Sequence, residues 1–258
     1  MAGLVEVMAE NTNKALILGC SHANGAEMFQ DPEFNISQYN FVEQIEYGAR
    51  NSYPVLLAEQ LGYDPLNHSI SGGSNDAMYR IASEQIHNLT DQDIVIACWT
   101  GVDRGELWHK EHSCWRPINY NNDQIHQLSP NEYSLEGINI GAVVDQNQDY
   151  HEYAKQWMLF EGNYQRGFHN KIKNVLALNC LTHSQGIRTV NLDSFGGVLQ
   201  TYEWPEMVFR PFNKTHDEFC TWCHNQDYPS ESGGHFFRPA HEAYSKYVYD
   251  RLKATLFA

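Results

Sequence analysis

Basic residues are scarce in this chain. Seventeen lysines and arginines stand against 32 aspartates and glutamates, for a formal net charge of −15 over 258 residues. A surface of that sign repels phosphate backbones and anionic lipid headgroups, which argues against non-specific binding to nucleic acid or membranes. It suits neutral or acetylated substrates. Apolar runs are short. None approaches the ~18–20 residues that cross a bilayer, so no membrane insertion is expected. Residues 1–13 lack a basic stretch followed by a long apolar one, the pattern of a secretory signal. The expectation is cytoplasmic synthesis, in a reducing compartment where the six cysteines form no disulfide framework. Internal repeats, low-complexity tracts and Gly/Ser linkers are missing as well. What is present, 42% hydrophobic and 13% aromatic residues, is the composition of a globular protein. The length suits a single α/β domain spanning 1–258.

Strand and helix patterns alternate. Residues 15–19 (ALILG) form an apolar run ending in glycine, a buried first strand leading into a turn. Residues 52–61 have the marks of a helix, with Ser52 placed to cap it, Pro54 in its first turn and Gly62 as its stop. A short strand is expected at 66–70, a glycine turn at 71–74 and a helix over 75–87. Residues 93–99 (DIVIACW) are apolar on both faces, as a central parallel strand is. Helices over 165–185 and 239–255 and a strand over 187–192 complete the alternation. It predicts a parallel sheet covered on both sides, with any site beyond the carboxyl ends of the strands. Between about 104 and 164 the pattern breaks into Asn, Gln, His, Tyr and Trp. That stretch reads as an insertion shaping a cleft or a partner surface. Its aromatics, Trp108 and Trp115 among them, either stack on sugar rings, anchor an interface, or form the insertion's own small core.

Four blocks carry chemistry. Gly19-Cys20-Ser21-His22 places a serine at the first strand-to-helix turn, where an imidazole could take its proton and backbone N–H groups could hold an oxyanion. The same serine could simply cap a helix. The second block, 67–75 (NHSISGGSN), offers Gly72, where the backbone can approach a ligand closely, and Asn75 or Ser74 as a cap. The third, 93–103, delivers Thr100 and Asp103 to the same edge. The fourth is Gly233-Gly234-His235, a histidine in a glycine-rich loop before the last helix. Cys220-x-x-Cys223-His224 has the look of half a metal site, with His216 and Asp217 nearby. The spacing matches no strong zinc signature, and a structural zinc needs about four ligands. His109 and His112 are no better placed. No metal or other cofactor is expected. Cys20, Cys98 and Cys180 read as small core residues, and Cys220 and Cys223 as thiols in an irregular aromatic loop.

In order and spacing these blocks resemble the SGNH (GDSL-like) hydrolases over nearly the whole chain. The form of Ser21-His22, of 53–62 and of 71–75 is most similar to SGNH-type proteins encoded by tailed bacteriophages. The resemblance implies a three-layer α/β/α, flavodoxin-like fold with a parallel central sheet and a long insertion after the third strand. It implies Ser21 as nucleophile, His235 as general base, and Ser21 and Gly72 as oxyanion donors. His241 falls one turn further on. Three positions depart from the pattern. Cys20 replaces the usual acidic residue. Val102 stands where an oxyanion asparagine is usual, leaving Asn75 and Thr100 as substitutes. Ser232 stands where an aspartate would orient the base, with Glu231 the adjacent candidate. His22 and Asp103 are candidate substrate contacts. The expected activity is removal of an O-acetyl or similar acyl group from a carbohydrate or other small ester. The alternative is a weak or inactive module within a phage virion, bound to phage structural proteins.

Overall fold

The structure, a computed structural model, describes residues 13–26, 28, 40–109, 113–119, 164–195, 199, 218–230 and 234–256. Its strands are β1 (Lys14–Gly19), β2 (Asp64–Asn67), β3 (Ile94–Trp99), β4 (Arg104–His109), β5 (Cys114–Asn119) and β6 (Arg188–Asp193). Its helices are α1 (Ser21–Asn24), α2 (Phe41–Asn51), α3 (Tyr53–Gln60), α4 (Asn75–Gln85), α5 (Tyr164–Ser184), α6 (Phe219–Asn225) and α7 (Arg238–Leu256). A 3₁₀ turn over Ile86–Asn88 extends α4.

Four strands pair in parallel in the order β2-β1-β3-β6. Successive side chains on a strand point to opposite faces, and here both faces are covered. Ala15, Ile17, Ile96 and Leu192 pack in one core with residues of α3, α6 and α7. Leu16, Leu18, Val95 and Trp99 pack in a second core with residues of α4 and α5. All six residues of β3 are buried, as its continuous apolar run requires. The result is the expected three-layer α/β/α arrangement with a flavodoxin-like strand order. The order reverses between β1 and β3, where such sheets open a crevice at their carboxyl ends.

Several local expectations are corrected. β2 ends at Asn67 instead of running to 70. Beyond it the chain still leans on β1, His68 donating to the Ile17 carbonyl and Ile70 to that of Gly19. Ser52 sits at the N-cap of α3, but its hydroxyl turns back to donate to the Ala49 carbonyl. The stretch after β3 opens with an antiparallel β4–β5 hairpin; the rest of the expected insertion, 120–163, lies outside the described residues. Cys220 and Cys223 lie on a helix, α6, and not in an irregular loop. Cys180 is exposed. The buried face of α5 runs through Lys171, Val175, Leu178 and Thr182, and position 180 falls on the other side.

α1 and α2 meet backbone to backbone at Gly25 and Gly48. Gly25 has φ +66°, and a Cβ there would run into the Gly48 carbonyl. Gly62 also has a positive φ, +83°, but faces open space. Gly25→Ala is therefore expected to cost about 1–2 kcal/mol for the left-handed backbone and a further ~1–3 kcal/mol for the overlap. Gly62→Ala carries only the first cost. Urea midpoints of the two variants measure the difference, and equal losses would show that α2 shifts to make room.

Candidate active site

Ser21 is the first residue of α1, immediately beyond β1. Cys20 ahead of it is extended and lends no side-chain cap; its carbonyl accepts from Asn24 N–H and so closes the turn. A Cβ on Gly19 would strike Ala23, so glycine lets α1 fold tightly over the strand end. The Ser21 hydroxyl makes no hydrogen bond among the described residues, and the residue is 4% exposed. Its own N–H, at the open end of a helical turn, has no partner within that turn.

The second strand's exit lies against the same place. A Cβ on Gly73 would come within 3.0 Å of the Gly19 carbonyl oxygen. Next to it Gly72 takes φ +76°, a left-handed backbone that suits glycine. Ser74 caps α4 by accepting from Ala77 N–H. Asn75 reaches across to the β3 exit. Its Oδ1 accepts from Thr100 N–H at 3.0 Å, and its Nδ2 donates to the Gly101 carbonyl at 3.1 Å. Its carboxamide is thus engaged in tying two turns together. Thr100 is fully buried, and its hydroxyl has no hydrogen-bond partner among the described residues. Val102 packs into the core shared with α4 and α5, which accounts for an apolar side chain there. Asp103 is partly buried beside Gly101. Burial raises its pKa against the opposing pull of Arg104.

His235 arrives from the far end of the chain, in the loop before α7. Its ring centroid lies 4.7 Å from that of His22. Phe236, 1% exposed and 5.6 Å from the Phe219 ring, anchors the loop in the core. Glu231 and Ser232 lie outside the described residues, as do His216, Asp217 and His112. No group of three or more metal-ligating side chains is found among the described residues.

His22 adjoins Ser21 in sequence, and His235 meets the His22 ring. His22 is the next residue on α1, and neighbours at i and i+1 on a helix do not face each other. Its Nε2 lies 3.5 Å from Cys220 Sγ, and its ring edges against Phe195 and Phe219 at 5.5 and 5.8 Å. Burial, aided by His235, Arg104 and His241, holds its pKa well below the ordinary imidazole value. Burial pushes the Cys220 thiol's pKa upward. Both shifts favour a neutral thiol beside a neutral imidazole, which speaks against a thiolate nucleophile. Phe195 escaped the sequence reading, because no motif distinguishes it, and Cys220 was noted there only as half of a metal-like pair with Cys223. They reach the site through β6, since Cys220 N–H donates to the carbonyl of Ser194 at the strand's exit.

His241, one turn into α7, is a structural latch. Its Nδ1 accepts from Tyr53 N–H at 3.0 Å, and the ring is also hydrogen-bonded to the backbone of Phe236. An Nδ1 that accepts cannot carry a proton. Burial pushes the His241 pKa from 6.5 down to about 3, against the Phe236 bond and with help from His235. In the unfolded chain the group protonates below about pH 6.5, and in the fold only near 3. Its contribution to stability is full above 6.5 and is lost as pH falls toward 3, at roughly 1.4 kcal/mol per pH unit within that window. His241→Asn keeps an acceptor for Tyr53 without a titrating group. The variant is expected to show a flatter dependence of urea midpoint on pH between 6.5 and 3; parallel curves would remove His241 as the cause.

No family model matches the chain, and no curated protein matches its sequence. Among solved structures it is similar to the psychrotrophic esterase EstA from Pseudoalteromonas sp., in a crystal structure inhibited by monoethylphosphonate. The likeness covers 95% of this chain and 100% of that one, at 13% identity and a TM-score of 0.43. At that level it bears on neither activity nor substrate.

Proposed function

We propose that the chain is a serine ester hydrolase in which Ser21 attacks an acyl carbonyl and His235 takes its proton. One observation carries this reading. The His22–His235 ring contact at 4.7 Å brings a histidine loop from the far end of the chain onto the helical turn that begins with Ser21. The N–H groups of Ser21 and Gly72 would hold the oxyanion. The Thr100 hydroxyl, which has no partner among the described residues, is the candidate side-chain donor to join them. Asn75 would serve by holding Thr100 in position, since its own amide is engaged. Water then releases the acyl group. Glu231 remains the candidate acid that orients His235.

The proposed substrate is an O-acylated carbohydrate, for which the aromatic side chains after β3 offer stacking surface. Trp108 and Trp115 are exposed on the β4–β5 hairpin and pack edge to face at 5.4 Å. Steady-state hydrolysis of p-nitrophenyl acetate, with the acylated or phosphonylated residue mapped by mass spectrometry, tests the proposal. Modification at Ser21 supports it; turnover with no label at Ser21 overturns it. A second reading, a hydrolase fold kept as a binding module such as a virion component, is favoured by Val102, which brings core packing where a donor would otherwise stand. It requires that Ser21→Ala leave function intact.

A further inference from the structure

Arg104 opens β4 directly beyond the β3 exit. Its guanidinium carbon lies 4.6 Å from the centroid of the Phe195 ring, and that ring edges against His22 at 5.5 Å. Arg104, Phe195, His22 and His235 thus form a chain of successive contacts. The Arg104 Nη1 is buried and has no hydrogen-bond partner among the described residues. No ion pair of Arg104 occurs among them either, although Asp103 is its neighbour in sequence. The contrast with other arginines is plain. Arg50 holds Glu46 at 3.2 Å, Arg80 holds Glu106 at 3.0 Å and Arg238 holds Glu242 at 2.6 Å. In a chain with 32 acidic residues, carboxylates are plentiful. A guanidinium nitrogen withdrawn from water without an acceptor is costly, and the cost is recovered when an anion occupies it. The charge is also felt nearby, since Arg104 helps to depress the pKa of His22 and opposes the rise at Asp103.

We infer that Arg104 is a specificity residue that binds a carboxylate on the substrate, so that the natural ester is an acidic one. The substrate half of this inference rests on the hydrolase reading above; the anion site does not. The planar guanidinium, stacked against Phe195, carries its N–H donors in a fork that matches the two oxygens of a coplanar carboxylate.

The test compares two acetyl esters with the same scissile bond, 4-acetoxybenzoate and its neutral methyl ester, in the wild type, Arg104→Met and Arg104→Lys. Wild type is expected to prefer the carboxylate. Arg104→Met is expected to lower the ratio of kcat/KM values, acid over methyl ester, by ~10-fold or more, mainly through KM. Arg104→Lys keeps the charge without the fork and should retain part of the preference. A ratio unchanged in Arg104→Met overturns the inference. Benzoate, which cannot react, is titrated in parallel and read by the rise in melting temperature. If neither ester is hydrolysed but benzoate stabilises wild type and not Arg104→Met, the hydrolase reading fails and the anion site stands. If benzoate has the same effect on both proteins, or none on wild type, the anion site is overturned whatever the hydrolysis shows.

Discussion

Ser21→Ala and His235→Ala are each expected to lower kcat for a simple acyl ester by on the order of 10³–10⁶-fold, with the double variant no worse than either single one. A serine hydroxyl attacks slowly when nothing takes its proton, and a base with no hydroxyl to activate can at best direct water. Two groups acting as one unit are lost together, so their effects do not multiply. Independent, multiplying losses would mean that the residues serve different steps. The readout is steady-state turnover and not the first burst, because free thiols react stoichiometrically with aryl esters and Cys180 is exposed. Cys220 is a poor alternative nucleophile, since burial raises its pKa and its partner His22 is held neutral. Turnover undiminished in Ser21→Ala would end the serine mechanism.

The magnitude depends on what else holds the oxyanion. Loss of one oxyanion donor costs ~10²–10³ in turnover in known serine hydrolases. Val102 supplies none, and Asn75 already uses its amide on Thr100 and Gly101. The backbone N–H groups of Ser21 and Gly72 and the Thr100 hydroxyl would carry that load. A low wild-type kcat is therefore compatible with a functioning Ser21–His235 pair. It is the drop on mutation, not the absolute rate, that decides.

The layering of the fold was legible because buried parallel strands carry an unmistakable signal. Residues 15–19 and 93–99 are apolar at every position that must face a helix layer, and β1 and β3 lie where those runs fall. Ser21, Gly72, Thr100 and Asp103 could be assigned to one edge by the same logic, since each follows a strand. What escaped the reading depends on packing across long separations. α6 has no amphipathic repeat long enough to announce itself, being only seven residues, and is held by Phe219 in the aromatic core and by the Ser194 carbonyl. The β4–β5 hairpin carries polar and aromatic residues that alternate weakly. Asn75 looked like a cap or a donor, and only the position of the β3 exit shows it as a brace. His241 was assigned no role from the sequence, and only the N–H of Tyr53 shows it as a latch. Burial of Lys171 could not be read at all, because a lysine on a helix is ordinarily solvated.

Breaking the Lys171–Asp193 pair is the stability change expected to be largest. Lys171 is fully buried on α5, and its Nζ donates to Asp193 Oδ1 at 2.6 Å. Asp193 closes β6, and its Oδ2 accepts from Leu199 N–H at 2.8 Å. Lys171 also reaches the Phe195 carbonyl at 3.5 Å. One ion pair thus gathers Asp193, Phe195 and Leu199 around the exit of the fourth parallel strand. Lys171→Met preserves much of the side chain's volume but leaves a desolvated carboxylate without its cation. The expected loss is ~3–5 kcal/mol. Lys171→Met combined with Asp193→Asn removes both charges and keeps a carbonyl oxygen for Leu199 N–H, so it should recover a large part of that loss. Urea unfolding of the two single variants and the double variant closes the cycle. Additive losses would show that the two side chains act independently, despite their 2.6 Å contact. The pair also has a consequence for the site, because Phe195 is the ring on which both His22 and Arg104 rest. At temperatures where Lys171→Met is still folded, loosening of the β6 exit should therefore appear as a raised KM for an acidic ester, with full recovery in the double variant. Stability lost with KM unchanged would confine the pair's role to holding α5 on the sheet.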